Sequence, residues 1–96
     1  MVVEYHEAAR EEVMAAATWY ALRDVSAAAR FVAEIERVED LIAAAPDRWP
    51  AHTWGTRRLL LRRFPYGVVY RIESTRVLIV AVVHDHQAPG YWRRRK

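Results

Sequence analysis

Residues 56–84 read TRRLLLRRFPYGVVYRIESTRVLIVAVVH, and this stretch decides the fold. Its apolar residues follow a period of two, and turn-forming pairs interrupt it twice. The pattern predicts three consecutive strands at 56–64, 67–73 and 76–84, with Pro65–Tyr66 and Ser74–Thr75 as the turns. Strands joined by turns this tight run antiparallel. In the second strand Val68, Tyr70 and Ile72 fall on one face. The third is apolar on both faces, so it needs cover on both sides and belongs inside the sheet. In the first, Arg57 and Arg63 would share one face and Arg58 and Arg62 the other, with Arg71 on the neighbouring strand.

Upstream of this stretch the period becomes helical. Between His6 and Arg23, Ala9, Val13, Ala16 and Tyr20 recur on one face, and Glu7, Glu11 and Glu12 load the first turns, where the helix dipole favours anions. Asp24 or Ser26 then caps a second helix, in which Ala28, Phe31, Ile35, Val38 and Ile42 line one side until Pro46 ends it. Residues 2–5, VVEY, form a short strand candidate. The order β-α-α-β-β-β describes an α+β fold over a single domain, 1–96, in which a helix hairpin packs on a mainly antiparallel sheet. The loop PDRWPAHTWG (46–55) carries Trp49, His52 and Trp54. Trp19, Tyr20, Trp49 and Trp54 read as core or hairpin-packing residues.

Composition narrows the function classes. The chain has 96 residues, of which 53% are hydrophobic, enough for a packed core and too apolar for a disordered segment. With no cysteine it has neither a disulfide framework nor a thiolate nucleophile or ligand. No apolar run reaches the ~20 residues of a membrane span, and the N-terminus does not read as a signal peptide. These features fit a cytoplasmic protein with no membrane partner. Charge is unevenly divided. Residues 1–50 hold five Arg against ten Asp and Glu (−5), and residues 51–96 hold nine Arg and one Lys against Glu73 and Asp85 (+8). The strand half can face a polyanion or an acidic partner, or carry solvated arginines only.

The string RRFPYGVVYRIESTRVLIVAVVHDHQAPGYW (62–92), with EYHEAAREEV and FVAEIERVEDLIAAAPDRWP in the helical half, resembles the RelE/ParE superfamily of bacterial type II toxins. The resemblance runs over essentially the whole chain. It implies a toxin fold paired with a cognate antitoxin protein. Superfamily members act in at least two ways, so fold alone does not name the target. One branch, typified by RelE, cuts mRNA on the ribosome. The other, typified by ParE, poisons DNA gyrase without a catalytic set. The RelE branch carries an Arg before the second strand's core, where Gly67 stands here, and basic residues after the third strand, where His84 and His86 stand. The missing cation and two helices of about four to five turns favour the ParE branch. A toxin-like scaffold without activity is a third reading.

Ribosome-dependent RNA cleavage would need a base, an acid and a cation for the phosphorane, and the candidates are Arg62, Arg63, His84, His86 and Tyr91. On a strand His84 and His86 would point the same way; imidazole titrates near neutral pH, yet a polar strand end is the commoner use of such a pair. For antitoxin binding the candidates are Arg57, Arg58, Arg62, Arg63 and Arg71. Tyr91 and Trp92 with RRRK could stack on a base and bind phosphates. Docking of Trp92 onto the domain is the simpler reading, with Arg93–Lys96 mobile beyond it. No third ligand lies near His84 and His86, so neither metal nor cofactor is expected. Protein purified without an affinity tag should therefore hold less than stoichiometric zinc and keep its circular dichroism spectrum on chelation. Stoichiometric zinc with unfolding on chelation would contradict this.

Overall fold

A computed structural model describes residues 1–96. The elements are β1 (Val3–Tyr5), α1 (Glu7–Ala21), α2 (Val25–Ala44), β2 (Arg57–Leu60), β3 (Tyr66–Ile72) and β4 (Val77–His84). They form one four-stranded sheet in the order β1-β4-β3-β2. β1 runs parallel to β4, and both other pairs are antiparallel. The α+β order read from the sequence is the observed one. Both helix starts are capped by side chains: His6 Nδ1 accepts from the Ala8 N–H and Asp24 Oδ1 from the Ser26 N–H, each at 3.0 Å.

The helix hairpin covers one face of the sheet. Phe31, Ile35, Val38 and Ile42 of α2 and Ala9 and Ala16 of α1 meet Val68, Tyr70, Val77, Ile79 and Val82 in a single core. Tyr20, Phe64 and Tyr66 extend it as an aromatic group around Phe31, with ring centroids 5.2–5.5 Å apart. The opposite face has its own small core, in which Trp92 lies against Val69, Leu78, Val80 and Ala81. A bulge makes this possible. Val69 pairs with Ala81 and Tyr70 with Ile79, so the register skips Val80. Two consecutive side chains, Val80 and Ala81, then point to the Trp92 side.

β4 is thus buried on both faces, but β1 pairs only with its residues Val77–Ile79. Further along that edge, side chains replace the missing strand. Glu12 Oε1 accepts from the Val82 N–H at 3.0 Å, and Arg95 Nη1 donates to the Val80 carbonyl at 3.0 Å. The same carboxylate pairs with Arg95 at 2.9 Å and accepts from the Tyr91 hydroxyl at 2.8 Å. α1, β4 and the C-terminal segment meet at this one group. The terminal run read as mobile is therefore anchored at Trp92, 1% exposed, and again at Arg95.

Three other details depart from the sequence reading. The strand read as 56–64 stops at Leu60, because Arg63 adopts a left-handed φ of 65° and Pro65 has no N–H to pair. The turn is accordingly Leu61–Pro65, and β3 begins at Tyr66. Trp19 and Trp54, read as packing residues, are each 51% exposed.

Replacing Glu12 by Ala would leave the Val82 N–H and the Tyr91 hydroxyl without their acceptor, and Arg95 with the Val80 carbonyl alone. A loss of about 2 kcal/mol is expected, which in a domain this small lowers Tm by roughly 8–16 °C. Thermal melts of Glu12→Ala, Arg95→Ala and the double variant should show the two changes to be less than additive. Strict additivity would contradict the clamp.

Candidate functional site

The arginines of the strand half separate into two classes. Arg57 points to the helix side and donates to the Trp49 carbonyl at 2.6 Å, and Arg71 lies 3.9 Å from Glu73. Both have a partner within the fold. Arg58, Arg62 and Arg63 are exposed and make no ion pair. Arg62 and Arg63 do not alternate along a strand as expected, since both sit in the Leu61–Pro65 turn. That turn is fastened to α2: the Arg62 N–H donates to Glu34 Oε2 at 2.6 Å, while Glu34 also accepts two bonds from Arg37 at 2.7 and 2.8 Å. The Arg37 hydrogen bonds, with help from Arg62, hold the Glu34 carboxyl below the usual carboxylate range.

The histidines are not two positions of one strand. His84 ends β4, and His86 lies in the turn beyond it. The His86 N–H donates to His84 Nδ1 at 3.1 Å, and the two rings stack with centroids 5.1 Å apart. The Tyr66 ring meets His84 edge-on at 5.1 Å. On the far side of the sheet from the helices, His84 borders a cavity of about 260 Å³ with His52, Arg58, Gly67, Asp85 and Trp92. Burial, with Arg58 adding to it, pushes the His52 imidazole below its ordinary value. Gly67 forms part of this wall, and a Cβ there would stand 3.2 Å from Leu60 Cδ2.

The RNA-cleavage candidates do not converge. Of Arg62, Arg63, His84, His86 and Tyr91, only His84 lines that cavity. The Tyr91 hydroxyl is spent on Glu12, and burial together with this bond raises its pKa well above the ordinary phenol value. A phenol held this way is a poor proton donor at neutral pH. The residue that sequence reading missed is Glu12. It appeared only as one of several helix-start carboxylates, and its partner Arg95 lies 83 positions away.

Among known proteins, a family model gives the family and a solved structure the fold. The family model described as "ParE toxin of type II toxin-antitoxin system, parDE" matches residues 3–89. A protein of Sinorhizobium fredii named "Putative toxin Y4kP" is 43% identical over 65 residues, which is 67% of each chain. A solved structure described as "Chromosomal ParDE TA system from P. aeruginosa" superposes with a TM-score of 0.77 at 18% identity, covering 88% of this chain and 95% of that one. At that identity the likeness assigns the fold.

A pH test follows from Glu34. Its folded-state pKa lies below the unfolded one, so its contribution is complete above the ordinary carboxylate range and is lost as pH falls through the lowered folded value. Glu34→Gln should be less stable than the parent chain at about pH 7, with the gap closing towards about pH 2. Urea titrations at several pH values measure it, and a gap independent of pH would contradict the assignment.

Proposed function

The chain belongs to the ParE toxin family of type II toxin–antitoxin systems, and on that premise we propose that it inhibits DNA gyrase by binding, and that a cognate antitoxin neutralises it. The observation that carries this reading is the state of the catalytic candidates. Tyr91 is engaged by Glu12, Arg62 and Arg63 ride on a turn, His86 lines neither cavity that His84 borders, and Gly67 stands where the resemblance to the RelE branch implies an Arg. The structure fits a protein that acts through its surface. Both proposed partners place its action in the cytoplasm. No helix is long and apolar enough to cross a membrane.

The reading is tested by inducing the chain alone in a bacterial host. Double-strand DNA breaks with an SOS response are the expected outcome. An abrupt translation stop with cleaved mRNAs would favour ribosome-dependent cleavage instead. His84→Ala combined with His86→Ala should leave growth inhibition largely intact. Loss of inhibition in a variant that keeps its circular dichroism spectrum would count against gyrase binding.

The antitoxin is expected to bring an acidic segment to the exposed cations Arg58, Arg62 and Arg63. Opposite charge steers encounter, and salt at ~1 M shortens the Debye length to about 3 Å. Stopped-flow association should slow by about tenfold or more between low and high salt. Arg62→Glu with Arg63→Glu should remove most of that dependence. An association rate indifferent to salt would place the antitoxin elsewhere.

A further inference from the structure

The C-terminal segment has two sides. Trp92 and Arg95 are three positions apart and point inward, one into the second core and the other to Glu12. Turn bonds from the Arg93 N–H to the Gly90 carbonyl, 3.1 Å, and from the Arg95 N–H to the Trp92 carbonyl, 3.0 Å, fix the backbone between them. Arg93, Arg94 and Lys96 consequently face solvent, and none makes an ion pair. The Arg93 guanidinium lies 5.6 Å from the centre of the half-exposed Trp54 ring. Gly90, at φ +92°, lets the segment pass close to that indole: a Cβ there would come within 2.5 Å of Trp54 Cη2. An open recess of about 410 Å³, lined by Ala88, Pro89, Gly90, Tyr91, Arg93 and Arg94, completes the surface. Trp54 packs edge-on against Trp92, with ring centroids 5.7 Å apart, and leaves half of its surface exposed.

We propose that this surface binds single-stranded nucleic acid, with Arg93 and Arg94 on consecutive phosphates and the Trp54 indole against an unpaired base. Cations next to a partly exposed aromatic ring are the pairing that single strands select, because every base offers a π-face and every linkage a charge. The clamp contributes preorganisation. A free Arg-rich tail would lose its conformational freedom on binding, whereas here Trp92 and Arg95 have already fixed it. An acidic protein would satisfy the cations as well, and competition by an acidic peptide separates the two. A duplex hides its base faces. DNA and RNA single strands share the chemistry invoked, and none of Trp54, Arg93 and Arg94 is among the residues assigned to the antitoxin, so the proposal stands whichever enzyme the toxin engages.

The test is fluorescence anisotropy with labelled single-stranded DNA, single-stranded RNA and a duplex of the same sequence, measured across a salt series. Tighter binding of either single strand than of the duplex is expected, and the tighter of the two identifies the strand. Arg93→Ala with Arg94→Ala should weaken binding and reduce the slope of log K against log salt by about 1.4, that is ~0.7 for each phosphate no longer neutralised. Arg93→Lys with Arg94→Lys should restore the slope. Trp54→Ala should weaken single-strand binding by at least about fivefold with the slope unchanged. Arg23→Ala with Arg30→Ala removes the same charge from the helix hairpin and should change neither. The proposal is overturned if that hairpin pair alters the slope as much as the tail pair, if the duplex binds as tightly as the single strands, or if an acidic peptide of equal charge competes as well as an unlabelled strand.

Discussion

β4 must be covered on both faces and on both edges, and the chain has too little strand to do it. Every residue of β4 from Val77 to Val82 is buried, yet β1 reaches only as far as Ile79. An unpaired backbone N–H in such a position costs about as much as a missing hydrogen bond. The Glu12 carboxylate resolves this by accepting from Val82, and its charge is balanced by Arg95. One carboxylate thereby sets the docking of α1, completes the strand edge and fixes the end of the chain. Trp92 can cover the second face only because the segment holding it is anchored on its far side.

What this sequence discloses follows from how locally each feature is determined. The helices, the order of elements along the chain and the two-sided burial of β4 are written in periodicities of 3.6 and 2, which act over a few residues. Docking of Trp92 was also legible, since an aromatic residue near a terminus gains most by burial. Features that depend on distant residues were not. Nothing local marks Glu12 among the carboxylates of α1, or Arg95 within a run of four cations. The end of β2 was misread because the run RRLLLRR has no turn signal past Leu60, while the backbone turns at Arg63 and the Leu61 N–H bonds across the turn to Tyr66. The face assignment of Arg62 and Arg63 failed with it. For His84 and His86, strand geometry was extended two residues too far.

These placements decide how the family membership is read. A ribonuclease of this size would need its acid, base and cation around one cavity, and in this chain the tyrosine is tied into the clamp while the arginines stand on a turn held by Glu34. The exposed cations of the strand half fall into two groups: Arg58, Arg62 and Arg63 around β2, and Arg93, Arg94 and Lys96 on the anchored tail beside Trp54. An acidic protein partner suits the first, and a phosphate chain with exposed bases suits the second. Two such surfaces on one small scaffold agree with the proposed action by occupancy.

The most direct test of action by occupancy is a plasmid supercoiling assay with purified gyrase and increasing amounts of the purified chain. The account predicts inhibition that rises with the ratio of toxin to enzyme and saturates with binding, independent of incubation time. Undiminished supercoiling at saturating toxin, with translating ribosomes instead yielding many cut messages per toxin molecule, would contradict it.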